Sequence, residues 1–295
     1  MPLIGLLALA ISVSEPRIPA GGPGGNMHDA TITIASAPAT QQIDASLDAP
    51  APTPLLSTGF PFTEGTRLWT IESDAPRMVV HYLFPMRGTY ELAADATQRN
   101  GTHVRIARAI AVPEDPRVLR TLALFALVLL SVGTIAGYLL AAGVTLRTFV
   151  PYATTIVLLA LVGVQASAMS MTSAGTVGPK TGTLWTVAAA VPGPADFEVV
   201  ARNVEDGKPL IRTTLPSRDG RLRMRLQFYD GAQHEVRVRA VRGGVILRTW
   251  THTIVAQSQP PPLGRRLWVL AMMLAVVAVG YAAGGTLRVR RAHIA

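Results

Sequence analysis

The pattern of apolar and polar positions divides this chain into two kinds of stretch. Three windows, residues 121–146, 148–179 and 267–287, carry no charged residue and are dominated by Leu, Val, Ala and Gly. A helix crosses the hydrocarbon core of a bilayer with about 20 mostly apolar residues. The windows therefore predict membrane-spanning helices over 119–143, 149–170 and 266–286. The remaining sequence alternates apolar and polar residues with a period of two, the sign of half-buried strands. Strands are expected over 67–72, 77–84, 89–97 and 102–112, and again over 183–191, 196–204, 210–215, 221–228, 234–241 and 245–255. Gly, Pro, Asp and Asn punctuate these runs at the spacing of an all-β sandwich. Asn100-Gly101 is a turn dipeptide between two of them.

The expected organisation is a membrane protein with two all-β, immunoglobulin-like sandwich domains and three transmembrane helices. The first sandwich covers 55–116 with an added strand at 30–37, and the second covers 181–256. Residues 15–54 are rich in Pro, Gly and Ala and read as a linker around the alternating run Thr31-Ile32-Thr33-Ile34. Residues 1–14 read as a signal-like apolar segment without the usual basic start; the alternative is a buried strand. Residues 287–295 form a basic tail.

Charge adds an orientation. The net charge is +9. Arg288, Arg290 and Arg291 follow the last span, and Arg147 lies in the short hairpin between the first two. Basic residues near span ends favour the cytoplasmic side. Arg117, Arg120, Arg265 and Arg266 flank the other ends, so the signal-like start decides: both β-domains face outward from a bacterial cytoplasmic membrane. An Arg-dominated, Ala-rich composition points to a bacterial source. Cysteine is absent, which excludes a disulfide framework, thiolate metal sites and a Cys nucleophile.

Leu68-Trp69-Thr70-Ile71 is echoed by Leu184-Trp185-Thr186-Val187. The segment from Phe84 to Leu92 is loosely echoed by Phe228 to Val236. These echoes raise a duplication without establishing one. The run His81-Tyr82-Leu83-Phe84-Pro85-Met86-Arg87-Gly88-Thr89-Tyr90 resembles a strand–turn–strand of PKD-type and other immunoglobulin-like domains, and is similar to YtkA/FixH-like extracytoplasmic domains. The order of exported β-domain, helix hairpin and second exported β-domain resembles the B subunit of copper membrane monooxygenases. That resemblance implies copper held by an N-terminal histidine and a His-x-His pair. His28 matches the first. No His-x-His pair exists here, and the third helix is a further departure.

Candidate sites follow. Imidazole and thioether ligands suit copper, so His28, His81 and His103, with Met27, Met78 and Met86, form a candidate soft set. Pairing Phe84 with Tyr90 in a hairpin would put Met78, Val80, Tyr82, Phe84, Tyr90, Leu92 and Ala94 on one core face. His81 would then sit on the other. The strongest polar pattern is Arg221, Arg223 and Arg225 alternating with Leu222, Met224 and Leu226, followed by Arg237 and Arg239 alternating with Val236 and Val238. A turn at Asp230-Gly231-Ala232 would pair Arg225 with Arg237 and Arg223 with Arg239. Like charges directly opposite on a sheet are destabilising. Such a face is either a solvated surface or a docking surface for the more acidic first domain, another subunit of a membrane complex, or anionic lipid headgroups. Nucleic acid is not an expected partner of an exported domain. In the helices, Gly133 and Gly137, Gly280 and Gly284, and Gly163 give the small-residue spacing that lets helices approach closely. No charge lies inside a span, which argues against an ion path. Motifs of serine hydrolases, P-loop enzymes, zinc proteases and thiol oxidoreductases are absent. The sequence therefore points to a non-catalytic binding or scaffold subunit that needs no cofactor. The alternatives are a copper-handling subunit and an envelope sensor or adhesion module.

Overall fold

A computed structural model describes residues 9–18, 27–52, 62–142, 177–257, 259 and 263–292. The span expected over 149–170, with Gly163, lies outside them, as do the hairpin around Arg147 and most of the signal-like segment. The described residues divide into a β-body and a helical pair.

Among the described residues, fourteen strands build the β-body. The first stretch supplies β1 (Ala10–Val13), β2 (His28–Ala35), β3 (Thr40–Asp48), β4 (Arg67–Ser73), β5 (Arg77–Phe84), β6 (Gly88–Gln98) and β7 (His103–Val112). The second supplies β8 (Val177–Lys180), β9 (Leu184–Ala190), β10 (Ala195–Asn203), β11 (Pro209–Ser217), β12 (Arg221–Gln227), β13 (Gln233–Arg242) and β14 (Val245–Gln257). Most alternate as read. In β13, Val236, Val238 and Ala240 are buried, while Arg237 and Arg239 stay part-exposed. Side chains of successive strand residues point to opposite faces, and here one face closes the core.

The two stretches do not form two separate sandwiches. They share one eight-stranded sheet, ordered β1-β2-β5-β11-β10-β13-β14-β8, and one six-stranded sheet, ordered β7-β6-β3-β4-β12-β9. The seam is double. In the larger sheet β5 pairs with β11, Tyr82 opposite Ile211; in the smaller, β4 pairs with β12, Trp69 opposite Leu226. Edge strands expose unpaired N–H and C=O groups, and each half covers those of the other. A single hydrophobic core runs through both halves.

The halves are topological copies. Ladders β2·β5, β3·β4, β3·β6 and β6·β7 recur as β9·β12, β10·β11, β10·β13 and β13·β14. The two seam ladders exchange with each other under the same correspondence. One strand departs: β1 pairs antiparallel with β2, whereas β8 pairs parallel with β14. The inward series Met78, Val80, Tyr82, Phe84, Tyr90, Leu92, Ala94 and Ala96 matches Leu222, Met224, Leu226, Phe228, His234, Val236, Val238 and Ala240 with no insertion or deletion, and every member is buried.

Four expectations change. Phe84 and Tyr90 do not pair in a hairpin, because β5 and β6 lie in different sheets; they meet across the core, with ring centroids 4.7 Å apart. The linker contains β3, a central strand between β4 and β6. Its Ile43, Ala45 and Leu47 are buried, and pairing on both sides overrides its modest β-propensity. The end of the signal-like segment is strand β1, whose Ile11 is buried and whose Ile11 carbonyl accepts a hydrogen bond from Arg108 at 2.7 Å. The Trp-containing echo joins β4 to β9, which are not topological counterparts; they flank β12 instead, placing Trp69 and Trp185 on either side of Leu226.

The helical pair comprises α1 (Pro116–Ala141) and α2 (Leu263–Ala292). Both contain segments long and apolar enough to cross a membrane, Leu119–Ala141 and Leu263–Leu287.

Candidate interaction surfaces

The arginine pattern splits between the two sheets. Arg221, Arg223 and Arg225 stand on β12 in the six-stranded sheet, and Arg237 and Arg239 stand on β13 in the eight-stranded sheet. The expected pairs, Arg225 with Arg237 and Arg223 with Arg239, are therefore not formed. The cause is the connection through Phe228, Tyr229 and Asp230, which crosses between sheets and buries both aromatic rings. Arg225 instead lies between Thr70 and Thr186, so the like-charge opposition disappears.

Each set has its own carboxylates. Arg223 is paired with Asp219 and lies 3.7 Å from Glu72 of the first half. Its hydrogen bond with Asp219 raises its pKa, and a hydrogen bond from Ser217 is the main cause that lowers that of Asp219. Arg237 donates to Glu235 at 3.0 Å, and Arg239 lies 4.0 Å from Glu198. Arg223 continues a cross-strand row that the sequence did not reveal. Asp95 faces Asp44, and Asp44 faces Glu72. Arg105 stands beside Asp95 at 3.9 Å. Three aligned carboxylates thus lie between arginines contributed by both halves. Once β3 is recognised, its alternation of Asp44, Ser46 and Asp48 supplies the missing signal.

The candidate metal ligands do not converge. His28 is buried on β2, opposite Phe84. His81 lies on the outer face of the same sheet, with Nδ1 2.9 Å from the Thr31 hydroxyl. His103 is exposed on β7 in the other sheet, 3.1 Å from the Thr97 hydroxyl. Among the described residues no group of three His, Asp or Glu side chains is arranged to hold a metal ion.

The second sequence echo marks a corner present in both halves. In the first, the Tyr90 hydroxyl donates to the Met86 carbonyl at 2.6 Å and accepts from the Met86 N–H at 3.1 Å. This is the tyrosine corner of immunoglobulin-like sandwiches. In the second half, fully buried His234 replaces the tyrosine. It stacks on Phe228 at 4.5 Å, and its Nε2 lies 2.6 Å from Asp230 Oδ1. Asn203 donates to the other Asp230 oxygen at 3.2 Å. The local closure is retained while the hydroxyl is exchanged for an imidazole–carboxylate contact.

The helix glycines sit at the α1–α2 crossing. A Cβ added at Gly133 would meet the Val277 carbonyl, and one at Gly137 the Tyr281 carbonyl. Cβ atoms at Gly280 and Gly284 would meet the carbonyls of Leu130 and Thr134. Both glycine pairs therefore allow backbone-to-backbone approach.

No protein-family model matches this chain, and no curated protein sequence matches it. Among solved structures it is similar to a two-domain fibronectin type-III segment from chicken tenascin, at 8% identity and TM-score 0.20, over 84% of this chain and 98% of that one. It is also similar to fibronectin(III)-like modules of Clostridium thermocellum CbhA, at 10% identity and TM-score 0.20, over 84% of this chain and 95% of that one. The immunoglobulin-like sandwich architecture rests on the two packed sheets, their strand order and the tyrosine corner.

Proposed function

We propose that this chain is a membrane-anchored binding or scaffold protein, a non-catalytic accessory subunit that presents one fused β-body outside the cytoplasm of a bacterial cell. The observation that supports anchoring is the exposure of the helices. Only 17% and 11% of their most apolar windows are buried within the protein. Leu124, Val128, Leu274 and Val279 are between 58% and 64% exposed. An apolar surface of this extent requires a covering partner or lipid. The opposite helix faces are already used by the glycine crossing, so lipid is the natural occupant of the rest. The binding reading is supported by an outer surface of charged rows on a two-sheet frame.

Two measurements test this. Alkaline carbonate washing should leave the protein in the membrane fraction, and external protease on intact spheroplasts should cut the β-body while sparing a tag at Ala295. Release by carbonate overturns anchoring; cleavage of the tag from outside overturns the orientation. Isolation from native membrane in mild detergent should bring a stoichiometric partner subunit, and recovery of the chain alone would count against the accessory role.

A further inference from the structure

The first half presents a trench on the outer face of the six-stranded sheet. Its floor is a cross-strand row of small side chains: Ala107 faces Ala93, Ala93 faces Ser46, and Ser46 faces Thr70. One bank is the carboxylate row of Asp95, Asp44 and Glu72. The other bank holds Glu91 opposite Asp48. The second half presents a ridge at the equivalent place on the outer face of the eight-stranded sheet. There His81 faces Arg212, Arg212 faces Val200, and Val200 faces Arg237. Under the correspondence of the halves, Arg212 stands where Thr70 stands and Arg237 where Ala93 stands. The side chains of Arg212 and Arg237 are exposed and part-exposed. The two outer faces thus carry opposite relief and opposite charge at the same level along the strands.

We propose that the ridge of one copy of this chain seats in the trench of a second copy, head to tail. Aligned sheets pack face to face about 10 Å apart. A displacement that lays β13 over the second copy's β4, β10 over its β3 and β11 over its β6 matches the charges. Arg239 then meets Glu72, Glu235 meets Arg67, and Arg202 meets Asp48. Arg212 falls over Ala93, between Asp95 and Glu91. Arg237 falls over Thr70, and Val200 over Ser46. Among these strands one like-charge meeting remains, Glu198 with Asp44, and Arg239 lies 4.0 Å from that glutamate within its own copy. The six strands of the smaller sheet, about 4.8 Å apart with outward residues about 7 Å apart, give a footprint of about 24 by 20 Å, or about 1,000 Å² for both copies together. That is the lower limit of a specific interface, so the contact is weak, reversible and salt-sensitive. A displacement of this kind keeps the Val112 ends of β7 in both copies at one end, as copies anchored in one membrane require; this point alone rests on the anchored reading. A head-to-tail contact of this kind does not close on itself, so copies line up in rows.

The two halves supply the substitutions that test this. Asp48→Arg/Asp95→Arg gives the trench the residues that the second half carries at the equivalent positions, Arg202 and Arg239. Arg202→Asp/Arg239→Asp does the reverse. The four side chains are between 35% and 46% exposed, and the same strand frame already accommodates each replacement, so both variants should keep the circular dichroism of the wild type. The full-length proteins are compared by sedimentation velocity in mild detergent, which reads association whether or not the anchored reading holds. The wild type should form a concentration-dependent series of oligomers at low salt that shrinks as salt rises. Each variant alone should be monomeric, because one presents two basic faces and the other two acidic faces. An equimolar mixture of the two should associate again. A wild type that is monomeric at low salt, a folded variant that still associates by itself, or a mixture that stays monomeric overturns the proposal.

Discussion

Two buried tyrosines that enter the same core from opposite sheets should respond in opposite directions to loss of their hydroxyls. Tyr90 and Tyr82 are both essentially inaccessible. The Tyr90 hydroxyl makes two hydrogen bonds, both to the backbone of buried Met86. Tyr90→Phe leaves a buried N–H and a buried C=O without partners. Each costs about 1–3 kcal/mol, so the substitution should destabilise by roughly 2–6 kcal/mol. The Tyr82 hydroxyl is buried with no hydrogen-bond partner. Tyr82→Phe removes that penalty and keeps the ring edge-to-face with Phe84 and Trp69. Its expected effect runs from neutral to a gain of about 1–2 kcal/mol. For a body of this size, each kcal/mol moves the melting temperature by about 2–4 °C. Thermal unfolding of the full chain in detergent, followed by near-ultraviolet circular dichroism, should show Tyr90→Phe well below wild type and Tyr82→Phe at or above it. Equal losses for the two would refute the hydrogen-bond assignment; a loss confined to Tyr82→Phe would invert it.

Three further outcomes are expected. Burial raises the phenol pKa of Tyr82, Tyr90 and Tyr229; their contribution is complete below the unfolded value of about 10 and is lost above it, by up to about 1.4 kcal/mol per pH unit for each group. Denaturant titrations from pH 8 to 12 should therefore show flat stability followed by a fall, and no fall above pH 10 would contradict the burial of these rings. Replacing Gly137 or Gly284 with Leu puts side-chain atoms against a facing backbone carbonyl and should destabilise the α1–α2 pair by at least about 1–3 kcal/mol, read as loss of a disulfide between cysteines engineered across the crossing. Residues 27–115 expressed alone expose the free edges of β4 and β5 and should aggregate, whereas co-expression with residues 177–257 should give a soluble heterodimer; a monomeric, folded first half would show that the seam is dispensable.

The sequence made the strands legible where alternation is clean, and the pairing partners illegible. Met78 to Phe84 and Leu222 to Leu226 were assigned to the correct face because a buried face leaves a period of two whichever sheet the strand joins. The same pattern is silent about the sheet. A short connection such as Pro85-Met86-Arg87 or Tyr229-Asp230-Gly231 serves as a hairpin turn or as an arch across the core, and here it is an arch both times. That one ambiguity generated the false opposition of Arg223 with Arg239. β3 was hidden for a different reason. Ala45, Ser46 and the flanking acids have weak β-propensity, and the strand is held by neighbours distant in sequence. The fusion of the halves had no local signature, since Tyr82 opposite Ile211 and Trp69 opposite Leu226 are contacts between stretches separated by the membrane-type windows.

The fused architecture bears on how charge should be read in this protein. The arginine-rich pattern of the second stretch and the more acidic first stretch invite a docking surface between them. In the folded body the opposite charges already meet, Arg223 beside Glu72 at the seam and Asp74 accepting the Arg218 backbone N–H at 2.8 Å. Exposed pairs of this kind contribute little energy individually, so their arrangement matters more for register than for stability. What remains for an external anion is divided between two opposite outer faces, Arg221 and Arg225 on one, Arg237 and Arg239 on the other. A single flat ligand surface cannot engage both faces at once. If anionic membranes or an acidic subunit bind here, neutralising one set should remove binding and neutralising the other should leave it intact. Equal, additive losses from both sets in salt-dependent flotation with anionic vesicles would instead mean that the attraction comes from net charge alone, with no docking face.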